Sequence, residues 1–439
     1  MQQDQLISTC QQRRANLASQ LTPGVVIIPT TQEIARNADT CFPFRFDSSF
    51  YYLTGFTEPD AVLVLVIGEA RTEQILFCRP KDIEREIWDG YRYGPAAAAD
   101  TFGFDAAYSI DELDHKMLDI LSNQPRIYYP LGKEMRWDRR INRWLNEVRA
   151  LVRTGVTAPD SLIDVRGVVD EMRLHKDEFE IGILRAAGQI NAQAHIRAMQ
   201  FTQPGQYEYQ VEAEILHDYY RQGSRFPAYG SIVAGGANAC VLHYGENNAR
   251  LNAGELLLID AGCELHGYAS DITRTFPISG RFSPEQRAVY DITLAAQEAA
   301  LAHCRPGDTW NAPHDAATRV LAQGMLDLGF LTGSLDEVLE TGSYRQFYMH
   351  RTGHWMGLDV HDVGSYKLDG KWRSLQPGMV LTVEPGFYIR PADNVPAAFH
   401  NIGIRIEDDV LITADGYENL TADCPKTASD IEAIMAAGR

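Results

Sequence analysis

The sequence predicts two domains, an α/β N-terminal part followed by an α+β C-terminal part. Three observations lead there. At 439 residues the chain is too long for a single core. Up to about residue 170, short apolar runs alternate with helical stretches. Beyond that point, long helical periods are interleaved with antiparallel-looking strand runs.

In the first part, VVIIP near Val25, AVLVLVI from Ala61 and QILFC ending at Cys78 are apolar runs of strand length. Asp111 to Leu121 and Asp138 to Val152 read as helices. Ala158-Pro159-Asp160 interrupts the preceding helix. The boundary is expected between Ala158 and Lys176, which gives domains of residues 1–172 and 173–439. Asp177, with Glu180 three residues on, reads as a capping box opening the next helix. Along it Phe179, Ile183, Ile190 and Ala194 recur at helical spacing. Ser283 to Cys304 and Asn311 to Leu328 are the other long helices expected.

Composition narrows the function. A formal charge of -19 argues against nucleic acid and against anionic membrane surfaces, both of which need a basic face. The longest apolar run, Ala61 to Ile67, is far short of a membrane span, and the first residues lack the apolar stretch of a secretory signal. Seven scattered cysteines without a C-x-x-C pair favour reduced, mostly buried thiols. Together these place the protein in the cytoplasm.

Five potential metal ligands occur in order along the second half: Asp260 in LLLIDAG, Asp271 in YASDITRTF, His354 in RTGHWMGLDVHD, Glu384 in VLTVEPG and Glu407 in GIRIEDD. Singly, each acid reads as a salt-bridge partner or a strand-end residue. Collectively they read differently, because several carboxylates at the ends of buried strands cost too much desolvation without compensating charge. Two divalent cations would cancel four such charges, as in a dinuclear hydrolytic site. If Leu256 to Ile259 and the stretch carrying Asp271 pair as a hairpin turning near Gly262 to Gly267, both aspartates face one way. Period-two alternation over Ile404, Arg405, Ile406 and Glu407 puts Arg405 beside Glu407. One nitrogen and no sulfur among the donors favours Mn²⁺ or Co²⁺, with Zn²⁺ as the alternative.

The segments MHRTGHWMGLDVHDVG, LLLIDAGCELHGYASDITRTFP, VLTVEPGFY and NIGIRIEDDVLIT resemble aminopeptidase P of the pita-bread metallopeptidases. The N-terminal stretch RNADTCFPFRFDSSFYYLTGFTEPDAVLVL resembles the bacterial members as well. Met356, where the family usually has a branched aliphatic residue, is a volume-conserving departure. The resemblance implies a creatinase-like N-terminal domain of ribonuclease-H-like topology, a pita-bread catalytic domain, and two Mn²⁺ ions. Asp271 and Glu407 would bridge the ions, Asp260 would complete one, and His354 with Glu384 the other. It further implies hydrolysis of the bond before a penultimate proline by metal-bound hydroxide, with Glu384 as general base. His361 would hydrogen-bond the substrate carbonyl or oxyanion, His243 would contact substrate near the metals, and His350 would hold the proline side. Arg405 is expected to orient the site, or to neutralise a buried carboxylate. Trp88 corresponds to a tryptophan lining the substrate entrance in related enzymes, although a core or interface aromatic is an equal reading. Peptides with proline second are the implied partners, and a homo-oligomer, dimer or tetramer, the implied assembly. The competing functions are a prolidase, which shares all five ligands, and a metal-free interaction module on the same fold.

Overall fold

The computed structural model describes residues 3–438. The chain falls into two compact units, Met1–Arg173 and Leu174–Arg439. The first is built on a six-stranded mixed sheet in the order Ala106–Ser109, Thr72–Cys78, Val62–Ile67, Gly24–Pro29, Arg126–Tyr129, Ser161–Asp164. Its two central strands are almost wholly apolar and buried, with no alternation, as strands covered on both faces require. Val25, Ile27, Val62 and Val64 pack with Met117, Leu121, Trp137, Ile141 and Trp144 from two helices. This is the α/β arrangement expected from the apolar runs.

Element ends differ from expectation by a few residues, for local reasons. The helix expected from Asp111 begins as a 3-10 turn, Ile110–Glu112, capped by Ser109, and becomes α-helical at Leu113. The helix expected from Asp138 starts earlier, at Met135, and ends at Ala150, where a 3-10 turn takes over. Proline 159 precedes a strand, Ser161–Asp164, and a further helix, Arg166–Leu174, that the sequence reading passed over. Six of the seven cysteines are buried and Cys41 is exposed.

In the second unit every strand pairing is antiparallel among the described residues. The long helices Glu178–Phe201 and Pro284–Leu301 each start at a capping box, on Asp177 with Glu180 and on Ser283 with Gln286. A third, Ala312–Asp327, has proline in its first turn, where the missing N–H costs nothing. Among the described residues no helix is long and apolar enough to cross a membrane.

One polar network inside this unit aligns strands that are remote in sequence. Arg274, fully buried, donates to the carbonyls of Thr273, Glu407, Cys424 and Pro425 and forms an ion pair with Asp408 at 2.6 Å. Asp408 is also held by Lys426 at 2.7 Å. Replacing Arg274 by alanine strips Asp408 of its buried partner, which typically costs about 3–5 kcal/mol. Thermal unfolding of Arg274→Ala should show a midpoint well below that of the parent protein.

Candidate metal centre

The strand Leu256–Ala261 pairs antiparallel with Ile272–Pro277, and Asp260 lies opposite Thr273. Opposite residues in such a pair project to the same side, as do residues two apart along a strand. Asp260, Thr273 and Asp271 therefore share a face, as the hairpin reading required. The connection is more elaborate than a single turn. Cys263–Leu265 and Tyr268–Ala269 pair with each other around His266 and Gly267, both at positive φ. Tyr229 ties the aspartates together. Its hydroxyl lies 2.5 Å from Asp260 Oδ1 and also hydrogen-bonds Asp271.

Glu407 is set by the neighbouring strand. Its backbone N–H donates to the Thr273 carbonyl at 3.1 Å, and its Oε2 accepts from the Thr273 hydroxyl at 2.6 Å. His354 and Glu384 come from two adjoining segments. Thr382 N–H donates to the His354 carbonyl at 2.9 Å, and Glu384 N–H to the Thr352 carbonyl at 2.7 Å. Gly353 makes this approach possible, since a Cβ there would sit 2.0 Å from the Thr382 carbonyl oxygen. His354 Nδ1 donates to the Trp355 carbonyl at 2.9 Å, which leaves Nε2 as the free donor atom facing the acids. Nε2 is 3.5 Å from Asp271 Oδ2 and 4.0 Å from Glu384 Oε1.

One ligand atom from each of Asp271, His354 and Glu407 lies within 4.8 Å of the others. Asp260 and Glu384 line the same cavity, of about 450 Å³. So do His243, His350, His361 and Arg405, each of them a residue the sequence singled out. The rings of His354 and His361 meet edge to face with centroids 4.2 Å apart. Trp88 is different. It is 84% exposed on the short helix Ile83–Asp89 and does not line this cavity.

The electrostatics are those of a site assembled for cations. Burial raises the Asp271 and Glu407 carboxyls, with neighbouring acids adding to the shift. Burial likewise pushes Glu384 up to about 7, against the opposing pull of His354 and Arg405. For His354 burial works downward, but the Asp271 contact and the charge of Glu384 overcome it and lift the imidazole to about 9. Among the described residues, no lysine or arginine is within ion-pairing distance of Asp271, Glu384 or Glu407. Asp260 is the exception: Arg405 Nη2 binds its Oδ2 at 2.7 Å. Arg405 thus shares a face with Glu407 as expected, but pairs with Asp260. Three acids offset by His354 alone, in an oxygen-rich donor set, fit divalent cations.

Several residues at the site escaped sequence reasoning. Tyr229 has no motif around it, and its role arises only from tertiary placement. Tyr388 accepts from Arg405 Nη1 at 2.9 Å and contacts His350 Nε2 at 2.8 Å. Asp409 is buried and accepts from the Asp271 backbone N–H at 2.9 Å. Arg351 lines the cavity from inside the histidine motif itself. Its position next to His350 was the signal that could have found it.

Comparison with known proteins gives concordant likenesses. Residues 182–414 match metallopeptidase family M24, and residues 10–128 match the aminopeptidase P N-terminal domain. The chain is similar to an Xaa-Pro aminopeptidase of Escherichia coli strain K12, at 46% identity over 98% of each chain. Among solved structures it is similar to Pseudomonas aeruginosa aminopeptidase PepP, at 46% identity and TM-score 0.97 over 98% of each chain. It is also similar to a zinc-substituted Escherichia coli aminopeptidase P in complex with product, at 45% identity and TM-score 0.96 over 99% of each chain.

Two outcomes follow from the geometry. Metal ligands must be deprotonated, so cation binding should release protons held on Glu384, Asp271, Glu407 and His354. Affinity should therefore rise with pH through the neutral range, and titration calorimetry in buffers of different ionisation enthalpy should register the protons. Gly353→Ala should separate the His354 and Glu384 segments and lower metal affinity by about tenfold or more, an effect on the scale seen when a ligand loses its support. Metal content after dialysis measures this.

Proposed function

The chain belongs to metallopeptidase family M24, and from that premise we propose how it works as an Xaa-Pro aminopeptidase, removing an N-terminal residue whenever proline is second. The observation that carries the reading is the convergence of Asp271, His354 and Glu407 ligand atoms within 4.8 Å inside the cavity. We assign residues 1–172 to a creatinase-like domain and 173–439 to the catalytic domain. Asp260, Asp271, His354, Glu384 and Glu407 would hold two divalent cations, Mn²⁺ first and Co²⁺ or Zn²⁺ as alternatives. When bound, such cations would supply Lewis acidity, to polarise the scissile carbonyl and to make a water more acidic.

The chain's own groups do the rest. Glu384, which lines the cavity beside His354, is the group to take a proton from water and pass it to the leaving nitrogen. That transfer matters for a bond to proline, whose tertiary amide nitrogen has no hydrogen and leaves only when protonated. His361, exposed at the cavity wall, is the group to donate to the developing oxyanion, and His243, which lines the same cavity, is a substrate contact.

His350 supports recognition of proline by an indirect route. Arg405 donates to the Tyr388 oxygen, so the Tyr388 proton goes to His350 Nε2. His350 Nδ1 then donates to the Arg351 carbonyl at 2.7 Å. Burial, reinforced by the Arg405 charge, holds this histidine down to about 3, hence neutral. Both nitrogens are occupied, and what remains for a ligand is the carbon surface of the ring. A pyrrolidine fits such a surface. Arg405 therefore serves substrate binding by holding this wall in place.

The reading includes a cytoplasmic location and a homo-oligomer, dimer or tetramer. Ile83, Ile87, Trp88 and Tyr91 are all more than 70% exposed on one short segment, which supports an association surface there, with Trp88 as an interface aromatic.

Protein loaded with Mn²⁺ should release arginine from Arg-Pro-Pro, and EDTA should abolish this. Turnover confined to Xaa-Pro dipeptides would identify a prolidase instead, and a folded protein that takes up no metal would be an interaction module. Glu384→Gln should lower kcat by about a hundredfold or more while the fold persists. His361→Ala should act mainly on kcat, and an effect confined to KM would exclude the oxyanion role.

A further inference from the structure

The walls of the cavity carry two cationic side chains from the lysine and arginine class, Arg405 and Arg351. They are in opposite situations. Arg405 is 3% exposed and committed to Asp260, Thr273 and Tyr388. Arg351 is exposed, and among the described residues no carboxylate lies within ion-pairing distance of it. It is nevertheless not a loose surface arginine. Its Nη2 donates to the Asn311 side-chain oxygen, and Asn311 is itself held by Asp315 at 2.7 Å. The guanidinium stands 5.0 Å from the centre of the Trp372 ring, which also receives the Lys367 ammonium at 4.3 Å. A restrained guanidinium with free N–H groups, beside a second cation, is organised to meet an anion.

Its place along the substrate path is set by its neighbours. Arg351 directly follows His350, whose Nδ1 lies 3.9 Å from Glu384 Oε2. In the function proposed above, Glu384 protonates the leaving nitrogen and His350 packs against the proline, so Arg351 sits on the leaving-group side, past the proline. We propose that Arg351 determines specificity there by binding a carboxylate of the residue following proline, so that tripeptides ending in a free carboxylate are preferred over the same peptides amidated. This rests on the peptidase reading and deepens it. The recognition is a charge-assisted hydrogen bond from the guanidinium to the carboxylate, and an amide would forfeit the charge and one acceptor.

The test separates the two ideas by measuring binding as well as turnover. With Mn²⁺-loaded protein, Ala-Pro-Ala should be cleaved with kcat/KM about tenfold above Ala-Pro-Ala amide, the scale of one charge-assisted contact at a partly open site. The product-like dipeptide Pro-Ala should bind about tenfold tighter than Pro-Ala amide by calorimetry, for the same reason. In Arg351→Gln both ratios should fall to near one, and Arg351→Lys, which keeps the charge without the fork, should retain part of each. Equal binding of the two dipeptides by the parent protein, or a preference that survives Arg351→Gln, would overturn the assignment. Absence of turnover on either tripeptide strikes the peptidase reading, and the dipeptide comparison still decides the role of Arg351.

Discussion

The catalytic unit is organised around a cluster of acids whose charge His354 offsets only in part. Asp271, Glu384 and Glu407 lie close together, largely out of solvent, with no lysine or arginine paired to any of them among the described residues. Left alone, the chain answers by holding protons, which is why burial drives these carboxyls upward. The arrangement makes sense as half of a structure whose other half is positive and divalent. Asp260, matched by Arg405, shows that the fold is able to supply a counter-charge where it needs one. Its absence at the other three acids is therefore informative.

Holding repelling groups together demands a stiff surround, and the polar core provides it. Arg274 threads between the carbonyls of Thr273 and Glu407 and is balanced by Asp408 and Lys426. Tyr229, Thr273 and Asp409 then aim individual acids or their backbone. Most of these contacts join segments far apart in the chain, so ligand geometry and strand registry are one problem. The same economy governs the wall that faces a substrate. Arg405 reaches from Asp260 to Tyr388 and, through it, fixes the tautomer of His350.

The legible part of the sequence was the part with local cause. Apolar runs ending in an acid gave Asp260 and Glu384 their strand-end positions, and period two put Arg405 and Glu407 on one face. The capping box at Asp177 marked a helix start to the residue. Family resemblance supplied His243, His350 and His361, all of which line the cavity. What remained hidden depends on remote packing. Nothing near Tyr229 signals that it bridges two aspartates, and nothing near Asp409 signals that it receives the Asp271 amide. The pairing of Arg405 with Asp260 rather than Glu407 is of the same kind, since adjacency on a strand says which face a group shares but not what it meets across the sheet. Short strands such as Ser161–Asp164 were missed because four half-exposed residues carry too little pattern to read.

The donors at the centre are drawn from positions 260 to 407, and the hairpin carrying Asp260 and Asp271 meets Glu407 only through long-range contacts such as that of Thr273 with Glu407. No contiguous fragment holds a usable set, so coordination becomes available only once the long-range pairings of the unit are in place. Ion uptake thus reports completion of folding, and a cation arriving early finds nothing to seize. Occupancy of such a centre stabilises the finished state by mass action.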